Sequence, residues 1–388
     1  MEEQNSRPQD TPRGFAAAKD RAAAAKRRRV RAVLALAAVL ALLVVVGLVL
    51  KQVVFDPYLK APISSAPAQT QEPAAPQTPS APEPEAKPAP APDPEPEPEP
   101  APEPEPEPQP ETAPDFYESP DTRTLDLELY SSSAILIDAG SGEILAQKNP
   151  DARIYPASMT KVMTLLTACR NLENLDETFE MTQEIIDPLY LADASMAGFV
   201  AGETVTLREL LYGAVLPSGA EATEALALCT AGSEEAFVAL MNETAQALGL
   251  SDTHFANASG LHDEALYTTV RDMALILQAA LAEPTCREIL STVQYTTAPT
   301  PQHPEGLAMI NKFLYNLPRQ YALDGAEVLA AKTGFTSQAM NCCASAGTTG
   351  DGRSVLCVTA NAWTGEFCMH DHAALYTEYC GAAPEPAG

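Results

Sequence analysis

The pattern of apolar and polar positions changes character three times along this chain. Ala32 to Leu50 is a run of 19 residues with no charged or strongly polar side chain. As a helix rising ~1.5 Å per residue it spans roughly 28 Å, close to the hydrocarbon thickness of a bilayer. From Ala61 to Pro114 no apolar period survives. The segment is Pro, Ala and Glu, and 20 of the chain's 35 prolines fall between Pro62 and Pro114. Such a composition buries too little to form a core, so the folding part begins near residue 116.

Beyond the proline-rich stretch the periodic patterns return. Ala134 to Asp138 and Ile144 to Ala146 flank Ala139-Gly140-Ser141-Gly142-Glu143 and predict a β-hairpin. An apolar helical run covers Met159 to about Cys169. Thr206 caps a helix through Leu216, and another runs from about Ala220 to Thr230. Ser233 caps a helix that Gly249 ends after Leu248, and Thr269 to Ala282 forms one more. The period then shortens. Glu327 to Ala331, Asn341 to Ala346 and Ser354 to Ala360 read as strands, the last two joined by Thr349-Gly350-Asp351-Gly352, and His370 to Tyr379 is a closing helix. One early hairpin, a helical middle and late strands predict an α+β fold. Its antiparallel sheet, shared by first and last strands, is flanked by helices and joined to a helical lobe.

Charge sharpens this division. Residues 1–31 carry nine Lys or Arg against four Asp or Glu, whereas residues 115–388 carry 12 against 36. The basic cluster Lys26 to Arg29 with Arg31 abuts the apolar run, which orients a membrane helix with its N-terminus in the cytoplasm. A cleaved signal peptide has a shorter apolar region, about 7–15 residues, so an uncleaved signal-anchor is expected. The expected order is a basic tail (1–31), a transmembrane helix (32–50), a Pro/Glu-rich extracellular linker (51–115) and a folded domain (116–388). Extended as polyproline II at ~3.1 Å per residue, the stretch from Ala61 to Pro114 within the linker reaches up to about 170 Å. The acidity of the folded part argues against nucleic acid as a partner. Eight cysteines fall in this domain with no zinc spacing and are expected as buried thiols rather than disulfides. His370-Asp371-His372 is expected as surface polarity with no metal, and Trp363, the only tryptophan, as a packing residue. No cofactor is implied.

Three short motifs carry candidate chemistry. In Ser158-Met159-Thr160-Lys161 a helix puts residues i and i+3 on one face, so a buried lysine that has lost its proton can serve the Ser158 hydroxyl as base. Ser218, in the turn Pro217-Ser218-Gly219, either relays a proton or caps the next helix. Lys332-Thr333-Gly334 follows an apolar strand. Lys332 and Thr333 suit a carboxylate, and Gly334 permits close approach of a ligand; the bland reading is a lysine at a strand end. Backbone N–H groups of Ser158 and Phe335 can form an oxyanion hole. Their order and contexts together point to acyl transfer through a serine ester.

With these motifs in place, the chain resembles the low-molecular-mass penicillin-binding proteins, the serine-type D-Ala-D-Ala carboxypeptidases. The likeness rests on Pro156 to Lys161, Ala201 to Thr206, Leu210 to Gly213, Leu216 to Gly219, Met241-Asn242-Glu243, Thr253-His254-Phe255, Gly260-Leu261-His262, Arg271 to Ala274 and Ala331 to Thr336. It spans about residues 130–380. It implies that Ser158 is acylated by the penultimate D-Ala of a peptidoglycan stem peptide, that β-lactams acylate the same serine, that Lys161 is the base, that Ser218 relays the proton, and that Lys332 and Thr333 bind the carboxylate. The family's second motif is usually Ser-x-Asn, and Ala220 replaces the asparagine. The chain also ends soon after this region, where many relatives carry a β-rich domain and a membrane-binding helix. Three functions fit: an active D,D-carboxypeptidase, a weakened protein that binds stem peptides without turnover, and a β-lactamase-like hydrolase. Ala220 favours the second, the intact Ser158, Lys161 and Lys332 favour the first, and the third lacks an assignable water-activating carboxylate.

Overall fold

Strand β1 (Tyr117–Thr124) leads into the hairpin β2 (Ser133–Asp138) and β3 (Glu143–Lys148). Every residue of β2 is buried, because helices cover both faces of the sheet it joins. The computed structural model describes residues 116–125 and 129–380, all within one unit that spans 100–388. The expected basic tail, membrane helix and linker lie outside the described residues. Among the described residues no helix is long and apolar enough to cross a membrane.

A helical lobe follows the hairpin: α1 (Thr160–Asn171), β4 (Thr178–Glu180), α2 (Gln183–Leu191), β5 (Thr204–Thr206), α3 (Leu207–Val215), α4 (Ala220–Ala231), α5 (Glu234–Ala247), α6 (Val270–Ala282) and α7 (Pro284–Ser291). The short pair β6 (Gln294–Thr296) and β7 (Ala308–Ile310) precedes α8 (Lys312–Gln320). The chain then returns to the sheet as β8 (Glu327–Thr336), β9 (Met340–Thr348) and β10 (Ser354–Ala362), and ends in α9 (Gly365–Cys380).

Local chemistry sets these boundaries. The Thr206 side chain accepts from Glu209 N–H while Glu209 returns the bond to Thr206 N–H, a complete capping box for α3. Ser233 caps α5 as predicted, and Thr269, read as the start of α6, is its cap. Helix α1 is buried from Thr160 to Ala168 and runs through the middle of the lobe.

The six-stranded sheet has the order β1-β3-β2-β10-β9-β8. Its pairings differ from expectation in one place: β1 pairs with β3 in parallel, so the sheet is mixed rather than antiparallel. Alternate residues of β2 serve opposite faces. Ile135 and Ile137 join the core shared with the helical lobe, while Ala134 and Leu136 join the core under α8 and α9. The eight cysteines are free thiols, six of them buried. Two expectations fail here. Asp371 and His372 are fully buried rather than surface groups. Asp371 accepts from the N–H groups of Tyr130 and Ser131, and His372 bridges Ser345 and Thr359. These bonds compensate burial, which presses the His372 pKa down to about 4 and keeps the ring neutral. Trp363 packs into no core and is 75 % exposed.

Candidate active site

Ser158 lies in a 3-10 turn, Ala157–Met159, directly before α1. The turn is tight: Ala157 has φ of 45°, and Met159 N–H donates to Pro156 C=O at 3.0 Å. Two glycines let other chain segments close on it. A Cβ at Gly260, whose φ is +81°, would sit 2.0 Å from the Ala157 carbonyl oxygen. A Cβ at Gly334 would sit 2.8 Å from the Pro156 oxygen and 2.9 Å from Ser158 N. Backbone contact therefore brings β8 against the Ser158 turn, and no side chain could intervene.

One helical turn on, Lys161 is 2 % exposed. Its Nζ lies 3.2 Å from Ser158 Oγ and also donates to the Ser259 carbonyl. Burial holds the Lys161 pKa well below its ordinary value. The Lys332 charge pushes the same way, and Glu221 opposes both.

Ser218 occupies the left-handed region at φ of 69°, rare for a residue with a side chain. The residue before α4 is Gly219, and no side chain caps that helix, so the capping alternative for Ser218 does not hold. Its hydroxyl instead accepts from Lys332 Nζ at 2.9 Å. Lys332 also donates to Thr333 C=O at 2.9 Å. The Lys-Thr-Gly segment lies inside β8 and does not follow the strand, because β8 continues to Thr336 through pairs such as Lys332↔Ala344 and Gly334↔Cys342. Strand alternation buries Lys332 and Gly334 and leaves Thr333 and Phe335 exposed. Burial draws the Lys332 pKa down to about 8.

The serine, the two lysines and the Lys-Thr-Gly strand thus meet from three elements. Ser158 borders two hollows. One, of about 320 Å³, is lined by Ser218, Thr333, Gly334 and Phe335. The other, of about 640 Å³, is lined by Lys161, Ala220 and Ser259. Ala220 begins α4 and is 1 % exposed. Its N–H donates to the Ser195 carbonyl, and its methyl group offers nothing to the second hollow.

Sequence reading assigned no role to Ser259, Gly260 or Lys312, now seen at the site, and weighed Glu221 only as a neighbour able to compensate in part for Ala220 or to favour a different substrate. Ser259 receives Lys161, and Gly260 makes room for the turn. Glu221 is fully buried and accepts Gly198 N–H at 2.8 Å, with its second oxygen unpartnered; burial raises its pKa. Lys312 lines the smaller hollow. Glu221, beside the altered second motif, carried a visible signal as a carboxylate within an apolar helical pattern, and Gly260 stood within the family likeness.

The family described as D-alanyl-D-alanine carboxypeptidase, Peptidase S11, matches residues 119–364. D-alanyl-D-alanine carboxypeptidase DacF of Bacillus subtilis is 32 % identical over 248 residues, covering 63 % of this chain and 60 % of the relative. DacA of Escherichia coli is 37 % identical over 171 residues, covering 42 % of this chain and 41 % of the relative. The chain thus matches less than two thirds of either relative's length. Among solved structures, the Streptomyces K15 DD-transpeptidase superposes with a TM-score of 0.58 at 28 % identity, over 65 % of this chain and 98 % of that one. The D-alanyl-D-alanine carboxypeptidase of Mycobacterium tuberculosis H37Rv gives 0.56 at 26 % identity, over 64 % and 91 %.

Proposed function

The chain belongs to the Peptidase S11 family of D-alanyl-D-alanine carboxypeptidases, and from that premise we propose that it removes the terminal D-Ala from peptidoglycan stem peptides through an ester on Ser158. The observation that carries this reading is the buried amine of Lys161, 3.2 Å from the Ser158 hydroxyl. Lys161, whose pKa burial holds well below its ordinary value, accepts the serine proton as Oγ attacks the carbonyl carbon of the penultimate D-Ala. The N–H groups of Ser158 and Phe335 receive the negative charge that develops on the carbonyl oxygen. The peptide C–N bond then breaks, and the proton taken up by Lys161 reaches the departing amine by way of the Ser218 hydroxyl, which leaves Lys161 neutral again. Lys332 and Thr333 hold the terminal carboxylate, with Lys312 adding positive charge along the same hollow. Water hydrolyses the ester and restores the hydroxyl. A β-lactam enters by the same attack.

The N-terminal segment fits an anchor and a spacer that hold this domain on the outer side of the membrane, within reach of the wall. Turnover is favoured over binding alone because both lysine–serine pairs are in hydrogen-bonding contact. The methyl at Ala220 removes one amide contact, a loss of about 1–3 kcal/mol, or roughly 10–100-fold in rate. The test is D-Ala release from a stem-peptide mimic by the full-length protein. Release is expected, with Ala220→Asn faster. Normal penicillin labelling without release in either form would make the protein a binder.

A further inference from the structure

Trp363 is the chain's only tryptophan and is 75 % exposed, where a large apolar ring gains nothing from folding. The backbone before it is built to put it there. Alternation along β10 places Leu356, Val358 and Ala360 in the core under the helical lobe, yet Ala362 joins the opposite core. The parity flips because the pairing with β9 slips between Thr359 and Ala362, with Asn361 at φ of 65° in the left-handed region. This bulge is held on both sides: Asn361 Nδ2 donates to Ala339 C=O at 3.1 Å, and Oδ1 accepts from Ser132 Oγ at 3.2 Å. Bulges of this kind re-aim side chains beside active sites, and an unusual φ secured by two bonds marks such a place. Directly after Trp363, Thr364 Oγ1 accepts from Phe367 N–H at 3.1 Å in the first turn of α9, so the ring stands between two fixed elements.

One row of the sheet links the bulge to the smaller hollow, whose lining does not include Trp363 itself. Phe335 pairs with Asn341 and Asn341 pairs with Ala362, one row across β8, β9 and β10. At the usual strand spacing the row spans about 10 Å. Asn341 Nδ2 donates to Ala362 C=O at 3.3 Å, and Phe335, Asn341 and Gly365 all line the smaller hollow. Phe335, itself 63 % exposed, stands at one end of this row, and Trp363 follows directly on its other end.

We infer that Trp363 is a glycan subsite, its ring packing against an amino sugar of the strand that carries the stem peptide. This rests on the function proposed above and adds to it the saccharide half of the substrate. Stem-bearing sugars are uncharged when their carboxyl is joined to the peptide, so the acidity of the domain does not repel them. A flat aromatic face buries their C–H groups while their hydroxyls stay in water.

The test compares D-Ala release from a free pentapeptide and from the same pentapeptide on its amino-sugar disaccharide, using the full-length protein. The kcat/KM ratio of linked over free substrate is expected to fall about tenfold in Trp363→Ala and to stay within about twofold in Trp363→Phe, which keeps a stacking ring. An unchanged ratio in Trp363→Ala overturns the inference. A second readout needs no catalysis. In Ser158→Ala, the emission of the lone tryptophan should shift and saturate as the peptide-free disaccharide is added. Flat emission, or a shift with lipid vesicles and none with the disaccharide, contradicts the subsite. If neither substrate releases D-Ala, the proposed function fails, while the emission titration still decides the subsite.

Discussion

Two lysines share this site, and the proposed reaction gives them opposite tasks. Lys161 must be neutral to take the Ser158 proton, and burial with the nearby Lys332 charge drives its pKa down. Lys332 must be charged to hold a carboxylate, and burial places its pKa at about 8. Acid therefore removes activity by protonating Lys161, and alkali removes it by neutralising Lys332. A bell-shaped kcat/KM profile is expected whose alkaline limb falls near pH 8. A profile flat well into the alkaline range would show that the Lys332 charge is not used. Glu221 is a buried carboxylate with one oxygen unpartnered. Releasing Gly198 N–H by Glu221→Ala should cost about 1–3 kcal/mol in a denaturant titration, and an unchanged midpoint would show that the bond contributes nothing. The chemistry-bearing residues were legible because Ser-x-x-Lys at a helix start and Lys-Thr-Gly have few purposes in common. The burial of His372 was not, since its compensation comes from Ser345 and Thr359 on other strands.

At the level of elements, the site depends on how closely β8 and the 257–260 segment approach the Ser158 turn. A methyl at Gly260 would overlap the Ala157 carbonyl in a backbone region that disfavours side chains. Gly260→Ala should therefore reduce penicillin acylation by about tenfold or more, even where the protein stays folded by circular dichroism. Wild-type acylation rates would contradict this. Helix α1 carries Lys161 through the core, and Leu165→Ala there should cost about 2–5 kcal/mol of stability, read by the same titration. Capped helices with apolar stripes, α3, α5 and α6, could be read from sequence almost to the residue. Helices α2 and α8 could not, because Pro188 and Pro318 lie inside them and proline reads as a breaker. Strand β1 has no alternation and is mostly exposed; it owes its place to parallel pairing with β3, a long-range contact that leaves no local pattern.

Across the whole molecule, one sheet brings the two ends of the folded region together. Strand β2 lies beside β10, and β8 at the sheet's edge faces the lobe that supplies Ser158, Lys161 and Ser218. The α+β class followed from element order, but the parallel edge and the bulge at Asn361 needed coordinates. Deleting residues 32–50 is expected to move the protein from the membrane fraction to the soluble fraction; retention in the membrane would contradict the anchor. The whole account rests on Ser158 as a nucleophile. Intact-mass and peptide mapping after treatment of the full-length protein with penicillin should find one added β-lactam mass, on the peptide bearing Ser158, and none in Ser158→Ala. An equal adduct in both proteins, or an adduct on another residue, would contradict it.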